Sequence, residues 1–385
     1  MKNVAIVGIG QVKFGENWNE SLRDIATGAI RSAMLEADIG TEDVEALYIG
    51  NMGAGRFIGQ EHLSALIADH SRLLHKPATR CEAACASGAL AFRQAYLSVM
   101  SGRHDVVMVV GAEKMTDLKT GDATSALITA GDQETEASSG ITFAGLYALI
   151  ARAHMNAYGT TSEQLAMVSV INHRNAIGNK YAQFQYEISV ADVLKSAMVA
   201  EPLHLLDCSP ITDGAAALII ASENAAKRFK SPVWILASEQ ASDTIALHDR
   251  KSLTEMLATK HAAKTAYEKL RITPSDIDFA EVHDCFSINE ILAIEDLGFC
   301  EKGRGGELVE SGEIKLKGSI PINTTGGLKA IGHPVGATGV RQLVDITRQL
   351  RGECYNQVKG DLGLALNVGG SGATALLTIL GKEVR

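Results

Sequence analysis

The sequence predicts an α/β protein built from two similar halves. Apolar runs bounded by glycine, such as VAIVGIG at 4–10, alternate with segments of helical periodicity, which is typical of layered α/β folds. The order helix, acidic loop, strand occurs twice, and so does the order glycine-rich turn, helix, buried strand. A chain of 385 residues is also long for one hydrophobic core. Together these observations predict an internal duplication.

The first half is predicted over residues 1–230. From about 116 to 205 its pattern breaks into a polar stretch followed by helices, and a segment this long between core elements usually carries function. We therefore predict a loop domain inserted in the first half. The other predicted elements are a strand at 4–10, a helix at 21–39, a strand at 44–51, a helix at 88–102 and a buried strand at 105–113.

The second half is predicted over residues 231–385 and repeats the same elements. A helix and a strand occupy 261–284, a glycine-rich turn opens a helix after residue 333, and a buried strand begins near 362. The pair Ser87-Gly88 and the pair Thr338-Gly339 occupy corresponding places at the two repeated helix starts. If the halves pack with twofold pseudosymmetry, these two helix starts meet.

Composition argues against several classes of function. A net charge of −9 with 5% aromatic residues disfavours nucleic-acid binding, which needs cationic and stacking surfaces. No apolar stretch approaches the roughly 20 residues of a membrane span, so a cytoplasmic protein is expected. The six cysteines are scattered, which predicts reduced thiols and no metal. The glycine spacings near the N-terminus match neither a dinucleotide fingerprint nor a P-loop, so no nucleotide cofactor is expected.

The stretch EAACASGAL at 82–90 places Cys85 where a helix begins. Free cysteines are most often small buried hydrophobic residues. A thiol at a helix N-terminus, however, faces unpaired backbone N–H groups that can lower its pKa. The small neighbouring residues would also admit a ligand. The local sequence leaves both interpretations open.

Three further stretches carry candidate chemistry. His333 lies in GGLKAIGHPVGATG, a glycine-rich turn at the place that Cys85 holds in the first half. His283 and Cys285 follow a strand in EVHDCFSINE, the usual position for chemistry in α/β folds. In the same stretch, Ser287 and Glu290 have the spacing of a helix capping box. The stretch NVGGSG follows a buried strand, and its backbone N–H groups suit an oxyanion hole.

These blocks, in this order along the whole chain, resemble the thiolase family. The motifs are EAACASGA, GAEKMTD, SPITDGAAALIIAS, EVHDCF, GGLKAIGHPVGATG and NVGGSG. The resemblance implies a five-layered α-β-α-β-α fold with duplicated five-stranded halves and an inserted loop domain. Within the family, the sequence is most similar to archaeal acetyl-CoA acetyltransferases, and the HDCF motif is shared with sterol-carrier-type thiolases.

The resemblance also implies catalytic roles for Cys85, His333 and Gly369. Cys85 matches the nucleophile that forms the acyl-enzyme, and His333 matches the base that activates it. The backbone N–H groups of Cys85 and Gly369 match an oxyanion hole.

At two places, Asn367 and the HDCF motif, the sequence departs from the better-known bacterial thiolases. Asn367 stands where those enzymes have a second cysteine. The HDCF motif replaces their Asn-Glu-Ala-Phe, so the resemblance assigns the second acid/base to Cys285. His283 would then hold the thioester oxygen of the second substrate together with His333.

The implied reaction is the reversible ping-pong condensation of two acetyl-CoA molecules to acetoacetyl-CoA and CoA, the first step of the mevalonate route to isoprenoids. Coenzyme A thioesters are substrates, and no cofactor is expected. The implied partners are further copies of the chain in a homodimer or homotetramer, and hydroxymethylglutaryl-CoA synthase with a zinc-ribbon/OB-fold bridging protein. Two alternatives are degradative cleavage of longer 3-ketoacyl-CoA chains and a non-catalytic acyl-CoA-binding scaffold.

Overall fold

The computed structural model describes residues 3–384. Their main sheet has nine strands in the order β3-β2-β4-β7-β1-β8-β11-β10-β9, and β5 and β6 form a separate hairpin. The strands are β1 Val4–Gln11, β2 Ala46–Gly50, β3 Ala78–Cys81, β4 Val106–Glu113, β5 Met198–Ala200, β6 Leu203–His204, β7 Gly214–Ser222, β8 Val233–Ser242, β9 Phe279–Glu281, β10 Leu362–Gly369 and β11 Thr374–Gly381.

Helices lie between these strands, and the sequence periodicity predicts only the longer of them. The helices are α1 Leu22–Ala37, α2 Ala54–Phe57, α3 Leu63–His70, α4 Ser87–Met100, α5 Thr120–Leu127, α6 Phe143–Tyr158, α7 Ser162–Asn175, α8 Val190–Lys195, α9 Glu223–Ala226, α10 Leu257–Leu270, α11 Ser287–Asp296, α12 Gly305–Ser311, α13 Gly327–Ile331 and α14 Thr338–Arg351.

The sheet has a pseudo-twofold arrangement about the antiparallel contact of β1 with β8. On one side the order is β1, β7, β4, β2, β3, and on the other it is β8, β11, β10, β9. The place corresponding to β3 is held by a single parallel bridge between Ala280 and Ile322. The expected five strands are therefore present in the first half, whereas the fifth position of the second half is reduced to one bridge.

The five layers of the thiolase fold follow from how the helices cover this sheet. Helix α1 packs on β1 and β7, and α10 packs on β8 and β11, so these helices form the outer layers. Helices α4 and α14 pack against each other between the two halves of the sheet. One apolar cluster accordingly contains Phe92 of α4, Val340 of α14 and strand residues from both halves.

The starts of α4 and α14 cross at backbone contact. A Cβ added to Gly88 would lie 2.7 Å from the carbonyl oxygen of Gly336, and one added to Gly339 would overlap the backbone nitrogen of Ala89. Glycine is required at both positions because any side chain would separate the two helices. The predicted meeting of the two repeated helix starts is thereby observed.

The segment between β4 and β7 contains α5 to α8 and the β5–β6 hairpin. Its helix α7 packs on α11 and α13 of the second half. Over the described residues, no helix is long and apolar enough to cross a bilayer.

Asp213, just before β7, ties the chain that leaves β4 to the sheet. Its carboxylate accepts hydrogen bonds from the backbone N–H groups of Met115 and Thr116, at 2.6 and 2.9 Å, and forms an ion pair with Lys114 at 3.0 Å. Burial alone would raise the pKa of Asp213, but hydrogen bonds from Thr116, Met115 and Lys114 outweigh it and hold the pKa below its usual range.

We expect Asp213→Asn to lower the free energy of unfolding at pH 7 by about 3 kcal/mol, because it breaks the buried ion pair and leaves Lys114 with only the exposed Asp117 carboxylate at 2.9 Å. Because the pKa of Asp213 is lower in the folded protein than in the unfolded chain, its carboxylate stabilises the fold at pH values above the unfolded pKa. This stabilisation is lost as the pH falls through the folded pKa. The difference between wild type and Asp213→Asn in urea unfolding should therefore shrink at acidic pH. A difference that stays constant down to about pH 3, below the usual Asp pKa, would contradict this account.

Candidate active site

Cys85 lies in a tight turn immediately before α4. Ala84 adopts a positive φ of 51°, and the Ser87 hydroxyl fixes the turn by accepting from the Ala83 N–H at 2.9 Å and donating to the Ala84 carbonyl at 2.6 Å. The turn places the buried thiol at the point where α4 crosses α14.

His333 follows α13 in a turn that Gly332 makes possible with a φ of 111°. The backbone N–H of His333 donates to Thr212 Oγ1 at 3.1 Å, and its Nδ1 lies 2.7 Å from Thr338 Oγ1. The Thr338 hydroxyl donates its single proton to the Pro334 carbonyl at 3.0 Å, so it can only accept from His333. His333 therefore carries its proton on Nδ1 and presents the Nε2 lone pair.

His283 and Cys285 project from the turn between β9 and α11, and the residue between them organises the site. Asp284 is fully buried and accepts from the backbone N–H groups of Leu328 and Lys329, at 2.7 and 3.1 Å, at the start of α13. Because α13 leads directly into the His333 turn, Asp284 couples the HDCF motif to the position of His333.

The structure brings Cys85, His283 and His333 together. The Cys85 Sγ and one ring nitrogen of each histidine all lie within 4.8 Å of one another. The two imidazole centroids are 5.0 Å apart with an interplanar angle of 81°. Among the described residues, neither His283 Nε2 nor His333 Nε2 has a hydrogen-bond partner, although both atoms are buried. The absence of a bound metal stays a prediction.

Cys285 faces the same space, a cavity of about 90 Å³ with mostly apolar walls. His333 and both cysteines contribute to the lining, so the candidate nucleophile, its base and the candidate second acid/base share one cavity. The other lining residues are Met115, Leu127, Phe143, Tyr147, Ser209, Pro210, Ile211, Phe286, Val335 and Gly370.

Burial controls the protonation of the site. It raises the pKa of the Cys85 thiol to about 12, although the backbone N–H of Gly370 partly opposes it, and it raises the pKa of Cys285 further. Burial also lowers the pKa of His333 to about 3 and that of His283 well below its usual value. Desolvation of the thiolate therefore outweighs the lowering of the Cys85 pKa that a helix N-terminus can cause, a question that the local sequence left open. At rest the site holds neutral thiols and neutral imidazoles.

The glycine-rich loop after β10 contacts Cys85 directly. A Cβ at Gly369 would lie 2.5 Å from the Ala83 carbonyl oxygen, so Gly369 allows the two turns to touch. The backbone N–H that interacts with the Cys85 thiol belongs to the next residue, Gly370. The role of the Gly369 N–H as an oxyanion donor stays a prediction, and the Gly370 N–H, from the same NVGGSG stretch, is a second donor at the thiol.

Asn367 has a defined partner in the site. Its Nδ2 lies 3.0 Å from His283 Nδ1, so the amide donates to the ring and leaves the His283 proton on Nε2, a buried atom with no hydrogen-bond partner among the described residues. The two histidines thus present opposite character, with a lone pair on His333 and an N–H on His283. Asn367 takes the place of a second cysteine by orienting His283.

The capping-box interpretation of Ser287 and Glu290 is wrong. The side chain of Phe286, the residue that precedes α11, makes no capping hydrogen bond, and the Ser287 hydroxyl donates to Asp207 at 2.8 Å. Glu290 accepts from Asn172 at 2.8 Å instead of reaching back to the helix start. Both side chains are fully buried, so tertiary polar contacts replaced the local cap.

Sequence reasoning missed the residues that the inserted segment contributes. Leu127 from the end of α5, and Phe143 and Tyr147 from α6, line the cavity. Their spacing is that of an ordinary amphipathic helix, so the only signal was that a long insertion usually carries function.

The fold and a site with two cysteines and two histidines together define a class of protein. The description "Thiolase, N-terminal domain" matches residues 4–224, and "Thiolase C-terminal domain-like" matches residues 239–382. The chain therefore belongs to the thiolase family and is an acyltransferase.

In particular, the chain is similar to two archaeal proteins named acetyl-CoA acetyltransferase. It is 54% identical to that of Methanothermobacter thermautotrophicus, covering 99% of this chain and 100% of the relative. It is 50% identical to that of Methanocaldococcus jannaschii, covering 100% of both. Human sterol carrier protein 2 is 33% identical, covering 98% of this chain and 71% of that protein.

Solved structures share the fold. A chain of the Ltp2-ChsH2(DUF35) aldolase superposes with a TM-score of 0.84 at 26% identity, covering 98% of this chain and 97% of that one. Human mitochondrial 3-ketoacyl-CoA thiolase in complex with CoA superposes with a TM-score of 0.77 at 17% identity, covering 100% and 98%.

We expect Asn367→Asp to reverse the His283 tautomer, because a carboxylate accepts from Nδ1–H and leaves Nε2 without its proton. The cavity then loses one oxyanion donor, which costs about 10²- to 10³-fold in rate in other enzymes. Steady-state rates of acetoacetyl-CoA cleavage measure this loss. In a His283→Ala background the same substitution should add little, since Asn367 acts through His283. If Asn367→Asp lowers the rate of His283→Ala by the same factor as it lowers the wild-type rate, Asn367 acts independently of His283.

Proposed function

We propose that this protein is an acetyl-CoA C-acetyltransferase, which reversibly condenses two acetyl-CoA molecules to acetoacetyl-CoA and CoA. The supporting observation is the convergence of Cys85, His333 and Cys285 on a cavity of about 90 Å³, with a ring nitrogen of His283 within 4.8 Å of the Cys85 Sγ. A space of this size fits an acetyl or acetoacetyl group. The names of the two archaeal relatives support the same substrate.

In the proposed first half-reaction, His333 Nε2 accepts the Cys85 proton as the sulfur attacks acetyl-CoA. The neutral state of His333 makes the lone pair available, and Thr338 keeps that lone pair on Nε2. The N–H groups of Cys85, Gly369 and Gly370 surround the developing oxyanion. CoA leaves as a thiolate and takes the proton from His333. His333 Nε2 then accepts the Cys285 proton, so that between the half-reactions Cys85 is acetylated, His333 is protonated and Cys285 is a thiolate.

In the proposed second half-reaction, the Cys285 thiolate removes the α-proton of another acetyl-CoA. The thioester oxygen of the enolate accepts from His283 Nε2–H. The enolate carbon attacks the acetyl group, and the Cys85 thiolate that leaves takes back the proton from His333. All protons are then at their starting positions, and a ping-pong kinetic scheme follows.

We further propose that the product feeds the mevalonate route. Condensation is uphill, so direct transfer of acetoacetyl-CoA to hydroxymethylglutaryl-CoA synthase would draw it forward. The similarity to a chain that is paired with a DUF35 protein supports a zinc-ribbon/OB-fold bridging partner. A homodimer or homotetramer is the proposed assembly.

Degradative cleavage of longer 3-ketoacyl-CoA chains is the second candidate within the family. The large side chains of Phe143, Tyr147 and Phe286 in the cavity wall favour the short acyl group. A non-catalytic scaffold is disfavoured because Cys85, His333 and Cys285 are all retained.

Incubation with acetyl-CoA should add about 42 Da, the mass of an acetyl group in place of a proton, to the peptide containing Cys85. We expect Cys85→Ser to lose the adduct. We expect Cys285→Ala to keep it and to retain exchange of labelled CoA into acetyl-CoA, while acetoacetyl-CoA cleavage falls by about 10²- to 10⁴-fold with loss of the acid/base. An adduct elsewhere, or near-normal cleavage by Cys285→Ala, would refute the respective assignment.

Chain-length preference separates the two candidate reactions. We expect kcat/KM for thiolysis to be at least about tenfold higher for acetoacetyl-CoA than for a 16-carbon 3-ketoacyl-CoA, since each misfitting methylene is disfavoured by the small cavity. Leu127→Ala removes side-chain volume from the cavity wall and should shift this ratio toward the longer chain. Equal rates on both substrates in wild type would favour the degradative enzyme.

A further inference from the structure

Tyr147 joins the two parts of the cavity that carry the chemistry. It is fully buried on α6, and its ring stacks on Phe286 with centroids 4.6 Å apart. Its hydroxyl donates to the Gly370 carbonyl at 3.0 Å and is also within hydrogen-bonding reach of the Cys285 thiol. No step of the mechanism above uses this hydroxyl.

The single proton of the Tyr147 hydroxyl limits the hydrogen bonds that it can donate at one time. A phenol has one proton and can accept further hydrogen bonds. While Tyr147 donates to Gly370, it can accept from the Cys285 S–H, which suits the resting thiol. Once Cys285 is a thiolate, the phenol proton can turn toward the sulfur.

The Cys285 thiolate has few other means of stabilisation. The groups that influence it are Cys85 from the α4 turn, Tyr147 from α6, Lys329 from α13 and Asp284 beside it. Cys85 and Asp284 oppose the charge. Lys329 favours it, but its ammonium donates to the Asp207 carbonyl. Of the two charge-stabilising groups, Tyr147 is thus the one whose hydroxyl lies within hydrogen-bonding reach of the sulfur.

The glycine-rich loop does not depend on the Tyr147 hydroxyl alone. The Arg250 guanidinium donates to the Ser371 carbonyl at 2.8 Å and to the Ser371 hydroxyl at 3.1 Å. The Gly370 carbonyl can therefore lose its donor during the reaction while the loop stays anchored by Arg250.

We propose that Tyr147 is a catalytic residue whose hydroxyl turns from the Gly370 carbonyl to the Cys285 sulfur and stabilises the thiolate formed between the two half-reactions. The proposal rests on the proposed function, because it needs Cys285 to be the second acid/base. Tyr147 transfers no proton in this scheme. The Cys285 proton goes to His333, the α-proton later replaces it, and the phenol then returns to Gly370.

The test uses Tyr147→Phe, which removes the hydroxyl and keeps the ring against Phe286. We expect acetoacetyl-CoA cleavage to fall by about 10- to 100-fold, the effect of losing one hydrogen bond to a charged group. Exchange of labelled CoA into acetyl-CoA should stay close to wild type, because it needs only Cys85 chemistry. Tyr267→Phe is the matched control, since Tyr267 is a buried tyrosine whose hydroxyl donates to the Leu297 carbonyl at 3.1 Å away from the cavity.

A second readout follows Cys285 directly. In a Cys85→Ser background, the profile of Cys285 alkylation with time at about pH 8 should slow by about 10- to 100-fold when Tyr147→Phe is added, because the thiolate fraction falls. A tyrosine that only fills space would leave both the cleavage rate and this profile unchanged, and equal losses in cleavage and exchange would assign the hydroxyl to Cys85; either result overturns the proposal. Normal cleavage by Cys285→Ala, measured in parallel, would instead identify failure of the proposed function.

Discussion

The backbone contact between the starts of α4 and α14 is the constraint on which the active site depends. Gly88 and Gly339 remove the side chains that would hold the two helices apart. The turn before α4 carries Cys85, and the turn before α14 carries His333, so their contact brings the nucleophile and base together. The twofold relation of the halves thus creates a site that neither half contains alone.

Desolvation sets the chemical character of that site. Burial keeps both thiols protonated and both imidazoles neutral at rest. Reactivity must then come from proton transfer between neighbours, and the direction of each transfer depends on which ring nitrogen carries the proton. Thr338 and Asn367 fix this for His333 and His283 in opposite senses. One histidine can accept a proton, and the other can donate a hydrogen bond to a substrate oxygen.

Buried polar contacts connect the second half to the inserted segment around this site. Asp284 binds the start of α13, and Asn172 of α7 donates to both Asp284 and Glu290, at 2.9 and 2.8 Å. These contacts hold the HDCF turn, the His333 turn and α7 in one arrangement. The inserted segment is therefore part of the support of the catalytic turns and part of the cavity wall.

The sequence by itself determined the alternation of strands and helices, the repeated helix starts and the motif order that identifies the family, because these depend on local periodicity and on residue types at fixed spacing. Only the tertiary structure decided the rest. Burial decided the direction of the Cys85 pKa shift, which the local sequence left open, and long-range partners replaced the predicted capping box at Ser287. Tyr147 lies on a helix with no distinctive sequence pattern, and Gly370 follows Gly369 in the chain. Both line the cavity, and the Tyr147 hydroxyl donates to the Gly370 carbonyl. Desolvation and contacts between residues distant in the chain depend on packing, which local sequence patterns do not encode.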